Sequence, residues 1–372
     1  MYFKVFIDLR SCRLDLRQTQ RKLMTRLASL ALIILVGCVR IEGAETPAQS
    51  TGVESPKLAE APVAAAPQVS EMSEMILLTV DKDDLRAELK TWPANLGESR
   101  TLSQFTIAVG KEKGDKQREG DNRTPEGIYF TESVIDGEKL PEKYGPKAIP
   151  INFPNPMDRR LKKSGYGIWL HGVENNSRIE EANVTEGCVA FYNEDIGELA
   201  HWLKPHQGLV VIASDTAEVN RDDDVRTLRE RTEAWANSWK QRSLDEYISY
   251  YDDSFRFKGL DIAGFRDYKR NVFASYKSMT VEFGEIRVVT HPKYAISFMN
   301  QDFDGDGRFT SRGRKILYWQ KDAQGLWKIA DEIHEDRRVE HLNITPDALA
   351  SLTRAANTAK AQQKPQSSTS NL

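Results

Sequence analysis

The chain has 372 residues, 40% hydrophobic and 29% charged, with a formal net charge of −3. That length accommodates two domains of ordinary size plus tails, and the near-balanced charge gives no strong basic field, so no nucleic acid partner is expected. Three cysteines, Cys12, Cys38 and Cys188, do not make a disulfide framework.

Residues 1–23 are basic and mixed, with Arg10, Arg13, Arg17, Arg21 and Lys22 and no clear apolar period. Residues 24–38 read MTRLASLALIILVGC, in which Arg26 precedes an apolar core at 27–36. That core is shorter than the roughly 20 residues of a membrane span. The pattern predicts an export signal over 1–38, compact from Met24. Its end, Leu35-Val36-Gly37-Cys38, is similar to a bacterial lipobox. Processing before Cys38 would leave a lipidated cysteine and hence a membrane contact through an N-terminal lipid anchor. An ordinary signal peptide and an uncleaved anchor are the alternatives. Residues 39–73 are rich in Ala, Pro, Ser and Glu and lack aromatics, so they are expected to be a disordered linker that spaces the protein from its anchor.

A mostly β domain is expected over 74–216. Apolar runs predict strands at 75–80, 105–110, 127–130, 166–171 and 209–213, and a helix at 194–203. Residues 85–92 fit a second strand or a short helix. The proline-rich interval 138–160 reads as a long irregular segment able to form a lid or cleft wall. Within this domain lies Cys188, preceded by Thr185-Glu186-Gly187, with His171 17 residues upstream at the end of an apolar run. A cysteine beside a histidine is the basic unit of thiol acyl transfer. On export, Cys188 would remain as a lone thiol in an oxidising compartment, and catalysis is one reason for such a thiol. The alternative is a buried inert cysteine. One cysteine and one histidine offer only two obvious ligands, so no metal and no cofactor are expected.

His171-Gly172, a polar interval and TEGCVAF at 185–191 together resemble the signature of the L,D-transpeptidase catalytic domain, the YkuD-like family of peptidoglycan enzymes. The phrase GDNRTPEGIYF at 120–130 is similar to the same family. The resemblance implies that Cys188 is the nucleophile, His171 the base, and Gly172 the residue whose carbonyl orients the histidine ring. Thr185 opens the cysteine motif. Gly187, Thr185 and Trp169 are candidates for substrate or oxyanion contacts. One position departs from the pattern: many members carry an arginine two residues after the cysteine, and here that position is Ala190.

A second domain is expected over 222–335. Val225, Leu228, Thr232, Trp235 and Trp239 recur at helical spacing after an acidic N-terminus at 222–224, and Leu244, Tyr247, Tyr250 and Tyr251 continue in a second helical segment. A third helix is predicted at 262–279, then strands at 281–290, 294–302, 314–320 and 326–332. The order resembles the nuclear transport factor 2-like fold, a cone of helices against a curved antiparallel sheet. That implies a pocket between sheet and helices, and with it a glycan or protein partner. Asp252, Asp253, His291 and His334 are candidates by residue type only, with solvated or structural roles as the plainer reading. The segment DFDGDG at 302–307 matches the first half of a calcium loop, but Gly313 occupies the position of the bidentate carboxylate. A charged hairpin turn explains it. A mostly disordered tail is expected over 336–372, with a short helix at 345–359.

The fold class expected is therefore a mostly β L,D-transpeptidase catalytic domain followed by an α+β nuclear transport factor 2-like cone domain. The resemblance implies a periplasmic enzyme acting on peptidoglycan stem peptides. Its first reading is a transpeptidase that attacks the diaminopimelate–D-alanine bond of tetrapeptide stems through a thioester. The second is an L,D-carboxypeptidase that trims tetrapeptides to tripeptides, since the layout also resembles cell-shape-determining carboxypeptidases of this superfamily. The third is a non-catalytic envelope scaffold.

Overall fold

In the computed structural model, residues 74–93, 99–336 and 338 are described. The expected export signal, linker and lipid anchor, and the helix expected at 345–359, lie outside the described residues.

The chain opens with β1 (Glu74–Asp81), β2 (Arg86–Pro93) and β3 (Thr101–Gly110). β2 resolves the open choice at 85–92: Ala87 and Leu89 are buried between more exposed charged residues, the period-2 signature of a strand. Next come β4 (Gly127–Phe130), β5 (Ile135–Asp136), β6 (Lys147–Pro150), the short helix α1 (Pro156–Arg160) and β7 (Trp169–His171). The strand expected at 166–171 is shorter because the backbone takes positive φ at Gly165 and Gly167. β8 (Asn183–Thr185), β9 (Val189–Phe191), α2 (Asn193–Trp202) and β10 (Leu209–Ala213) complete the unit. The strand order is β4-β10-β1-β2-β3-β9-β7-β6-β5, with β8 against β3.

Helices α3 (Asp222–Lys240), α4 (Leu244–Ser249) and α5 (Ile262–Ser275) follow. They cover a sheet of β11 (Met279–Phe283), β12 (Arg287–His291), β13 (Tyr294–Gly305), β14 (Phe309–Lys321) and β15 (Trp327–Glu335). The helix expected at 262–279 stops at Ser275, and Met279 already belongs to β11. The strand expected at 281–290 is two strands. Both pair with the long β13, β11 at its far end (Met279↔Gly305) and β12 at its near end (Arg287↔Phe298). The segment 302–307 runs from β13 into the β13–β14 hairpin. Asp304 accepts from the Gly307 N–H at 2.7 Å, and Asp306 accepts from Lys277 N–H and pairs with Arg308. These carboxylates serve the turn.

Strand alternation explains how the two sheets meet. In β1, Ile76, Leu78 and Val80 enter the core of the first sheet, while Met75 and Leu77 face the other way. β10 divides likewise into Val210 and Ile212 against Leu209 and Val211, and β4 into Tyr129 against Ile128 and Phe130. The opposite-facing set packs onto Val289, Tyr294, Ile296, Phe298, Ile316, Tyr318 and Ala330 of the second sheet. The other face of that sheet, with Val288, Ala295, Leu317, Trp319 and Ile329, meets the aromatic residues of α3–α5. Strands buried on both faces read as continuous apolar runs, as MILLTV and LVVIA do.

The described residues thus belong to one compact unit, with a shared apolar layer between two sheets. Phe298 sits in that layer, edge-on to Phe130 at 5.7 Å between ring centroids. Phe298→Ala is expected to lower stability by about 3–5 kcal/mol. Urea titration followed by both tryptophan fluorescence and far-UV circular dichroism should show one earlier transition in which the two signals coincide, since both sheets lose the same layer.

Candidate active site

β7 and β9 run parallel, with Leu170↔Val189 and His171↔Ala190 in register. His171 ends β7 and Cys188 immediately precedes β9, so this pairing carries both residues to one end of the sheet. They line the same cleft, of about 580 Å³.

The ring of His171 is 5% exposed and its Nδ1 lies 2.5 Å from the Gly172 carbonyl oxygen. A carbonyl only accepts, so Nδ1 carries the proton and Nε2 keeps its lone pair. Gly172 is tightly enclosed: a Cβ there would collide with Asn193 Oδ1 and lie 2.8 Å from Pro146 Cδ. Asn193 Oδ1 in turn accepts from the Val173 N–H at 2.8 Å. The N-terminus of α2 therefore holds the peptide that orients the histidine.

Cys188 is half-buried, with Sγ 3.6 Å from the Gly167 carbonyl oxygen. Its turn is braced by Thr185, whose Oγ1 donates to the Cys188 carbonyl at 2.7 Å and accepts the Gly187 N–H at 3.1 Å. The expectation that the Gly187 N–H serves as an oxyanion donor meets a competing bond here, because this donor is engaged by Thr185. Gly187 has φ +124°, and a Cβ there would lie 2.7 Å from the Arg123 carbonyl oxygen. Both backbone conformation and space call for glycine. Thr124 Oγ1 accepts from the Gly110 N–H at 2.9 Å and approaches the Cys188 carbonyl at 3.4 Å.

Trp169 opens β7, two residues before His171. Its ring packs on Tyr144 at 4.9 Å, and Tyr144 stands edge-on to His171 at 5.0 Å. Tyr144 and Lys143 come from the irregular interval 138–160 and form one wall of the cleft. Arg178 and the exposed Tyr166 also line it. The cleft wall expected from 138–160 is thus formed in part by Lys143 and Tyr144, while Arg178 and Tyr166 are not among the expected site residues. The pair Gly165 and Gly167 around Tyr166 was the available signal for one of them.

Burial pushes the His171 pKa down to about 4, and the nearby cations Arg178 and Lys143 act in the same direction. Burial pushes the Cys188 thiol up to about 11, against a backbone hydrogen bond at Trp169 and the charge of Lys143. Both shifts favour the uncharged forms of the thiol and the imidazole that line this cleft. Ala190 is fully buried among Ala108, Val173 and Ile179, which leaves no room for an arginine in the present packing.

The other residues flagged by type have structural partners. His291 Nε2 meets the Ile212 carbonyl at 3.1 Å and its Nδ1 accepts the Lys293 N–H. His334 bonds Ser311, and Asp252 accepts from the Ser254 N–H. Asp253 is exposed. Among the described residues, no group of three or more His, Cys, Asp or Glu side chains is placed to hold a metal ion.

Residues 77–212 match the profile of the L,D-transpeptidase catalytic domain, YkuD. Residues 227–333 match the Cds6 C-terminal NTF2-like domain. The chain is 25% identical over 224 residues to YafK of Escherichia coli strain K12, whose name assigns it provisionally as an L,D-transpeptidase; the match spans 59% of this chain and 80% of that protein. Among solved structures, Bd1075 of Bdellovibrio bacteriovorus superposes with a TM-score of 0.60 at 25% identity, covering 72% of this chain and 95% of that one. The helical cell shape determining protein Pgp2 of Campylobacter jejuni superposes with a TM-score of 0.59 at 23% identity, covering 70% and 92%, a likeness of fold. With the two profiles falling on the two sheets in chain order, the chain carries a YkuD-like L,D-transpeptidase catalytic domain fused to an NTF2-like C-terminal domain.

Proposed function

We propose that this protein is a periplasmic L,D-carboxypeptidase that removes the terminal D-alanine from peptidoglycan tetrapeptide stems. Membership in a family acting on stem peptides supports the substrate class. The observation that carries the choice of reaction is the layout, a YkuD-type domain followed by an NTF2-like domain, which resembles that of cell-shape-determining carboxypeptidases; Pgp2, a helical cell shape determining protein, shares the fold. The filled position at Ala190 accords with a branch whose acceptor use has changed.

In the proposed reaction, the Cys188 thiol attacks the carbonyl carbon joining the L-centre of diaminopimelate to D-alanine. His171 Nε2 takes the thiol proton as the S–C bond forms. The Cys188 backbone N–H is the candidate donor to the tetrahedral oxyanion, given the bond between Gly187 and Thr185. Collapse breaks the C–N bond, and His171 returns its proton to the departing amine of D-alanine. Water then attacks the thioester with His171 again as base, which frees the tripeptide carboxylate and restores the thiol. Lys143 and Arg178 supply positive charge to a cleft whose substrate carries a free terminal carboxylate. An amine in place of water would give the transpeptidase reaction.

The NTF2-like domain is the candidate holder of a glycan or protein partner. Inside its cone the buried Lys269 Nζ lies 4.0 Å from the Trp239 ring centroid, near the ion pair of Lys315 with Glu332. Deleting this domain would expose the shared apolar layer, so its role is better probed by Lys269→Met. Activity on whole sacculi should fall while activity on soluble stems holds. The export signal implies a periplasmic site of action, with Cys38 as the point of lipid attachment.

Two further outcomes are expected. Disaccharide-tetrapeptides incubated with residues 39–372 should lose one alanine without forming dimers by mass spectrometry, and Cys188→Ala should abolish the product. Dimers or amine-exchanged stems would assign a transpeptidase. Absence of any product dependent on Cys188, from soluble stems or intact sacculi, would favour the scaffold reading. The uncharged thiol also sets a pH dependence. The thiol pKa is raised, so iodoacetamide alkylation of Cys188 should be slow at neutral pH and still climbing at about pH 9, past the usual cysteine value of about 8.5. A plateau near neutrality would instead indicate a thiolate–imidazolium pair.

A further inference from the structure

From the ion pairs beneath the cleft, we infer that the NTF2-like domain is a working part of the catalytic site, because Lys293, at the β12–β13 turn, is a positioning residue for the loop 111–126 that braces Cys188. The functional consequence rests on Cys188 being the nucleophile; the structural claim does not depend on which acceptor resolves the acyl-enzyme.

Lys293 Nζ crosses to the catalytic domain and bonds two carboxylates, Asp115 Oδ2 at 2.8 Å and Glu126 Oε2 at 2.7 Å. These residues stand near the two ends of the loop. Two lysines of the catalytic domain complete the arrangement. Lys163 Nζ pairs with Asp115 at 2.8 Å and with Asp158 at 2.9 Å. Lys82 Nζ pairs with Glu126 Oε1 at 2.9 Å and also donates to the carbonyls of Gly114 at 2.7 Å and Thr124 at 2.9 Å. Asp115 Oδ1 also accepts the Glu126 N–H at 2.9 Å, closing the loop on itself. Three cations meet three carboxylates in a largely buried cluster, where removal of one partner leaves the others uncompensated.

The loop reaches the site at both its middle and its end. Lys111, Lys116 and Asn122 line the cleft with Cys188. The Arg123 carbonyl packs against Gly187, and the Thr124 hydroxyl approaches the Cys188 carbonyl. Thr124 is held by Lys82, which shares Glu126 with Lys293. A short run of direct bonds therefore leads from the second sheet to the nucleophile's own peptide. Burial opposes the charge on Glu126, yet hydrogen bonds from Lys293 and Lys82 keep its pKa below the ordinary value. Asp115 behaves likewise through Lys163 and Lys293.

The test uses the full chain with Lys293→Met, Lys293→Gln and Lys293→Arg. Trp92→Phe serves as a control, since it removes a different bond between the domains, Trp92 Nε1 to the Val288 carbonyl at 3.1 Å. Three quantities are read: amide hydrogen exchange over 111–126, the alkylation rate of Cys188, and kcat and KM on disaccharide-tetrapeptide. Lys293→Met is expected to speed exchange in 111–126 about ten- to a hundredfold and to change the alkylation rate several-fold. It should lower kcat more than it raises KM, with Lys293→Arg restoring each value in large part. Trp92→Phe should leave exchange in this loop unchanged. If Lys293→Met does not fold, Lys293→Gln answers the same question, and wild-type exchange gives an independent check: the Glu126 amide, bonded to Asp115, should be protected. Unchanged loop exchange in a folded Lys293 variant would overturn the inference, as would an equal effect of Trp92→Phe, or a wild-type Glu126 amide that exchanges freely. Because exchange and alkylation need no substrate, their failure is distinct from a failure of the carboxypeptidase reading, which product analysis alone decides.

Discussion

The apolar layer between the two sheets is the constraint on which the rest depends. β1, β4 and β10 bury both faces, and the second sheet covers the outer one. That requirement makes the NTF2-like sheet a structural neighbour of the catalytic sheet. It also makes the β12–β13 turn, with Lys293, a fixed element beside the loop 111–126. Polar bonds at the margin of the layer give it a register that hydrophobic burial, being non-directional, does not. Tyr294 Oη accepts the Ile128 N–H at 2.6 Å and Asn155 Nδ2 lies 2.7 Å from it, and Arg314 reaches the His206 carbonyl at 2.7 Å.

His171 and Cys188 are held by backbone geometry more than by charge. The Gly172 carbonyl sets the histidine tautomer, and the Thr185 hydroxyl holds the cysteine turn. Both side chains sit in surroundings that disfavour their charged forms. A neutral thiol is a poor nucleophile, so proton transfer to His171 would accompany attack on a bound substrate. A neutral thiol is also less open to oxidation than a resting thiolate. The cations that line the cleft act on both members, lowering the histidine pKa and easing the thiol's ionisation.

The departure at Ala190 follows from the same packing. Its strand neighbour in β7 is His171, and its side chain joins Ala108, Val173 and Ile179 in a small closed cluster. A long side chain there would have to open that cluster from beneath the site. Arg178 places a guanidinium at the cleft from a different segment.

Much of this protein was legible in the sequence. Alternating or continuous apolar runs located β1, β3, β4, β7, β10 and β13–β15, while β5, β6, β8 and β9, of two to four residues each, are too short to show a period; the helical spacing of Trp235 and Trp239 located α3. Motif resemblance pointed to His171, Gly172, Thr185, Gly187 and Cys188, residues whose chemistry is local and whose spacing is short. Strand ends were misjudged where glycines interrupt extension, at Gly165 and Gly167, and where one apolar run covers two strands, as in β11 and β12. What tertiary structure alone decided were contacts between segments far apart in the chain. The choice of the second sheet's outer face as a partner, the reach of Lys293 to Asp115 and Glu126, and the placing of Lys143, Tyr144 and Arg178 around the thiol all belong there. A sequence states which faces are apolar and which side chains are charged. It does not state which face meets which, because that follows from the three-dimensional fit of surfaces whose residues carry no mark of their partners.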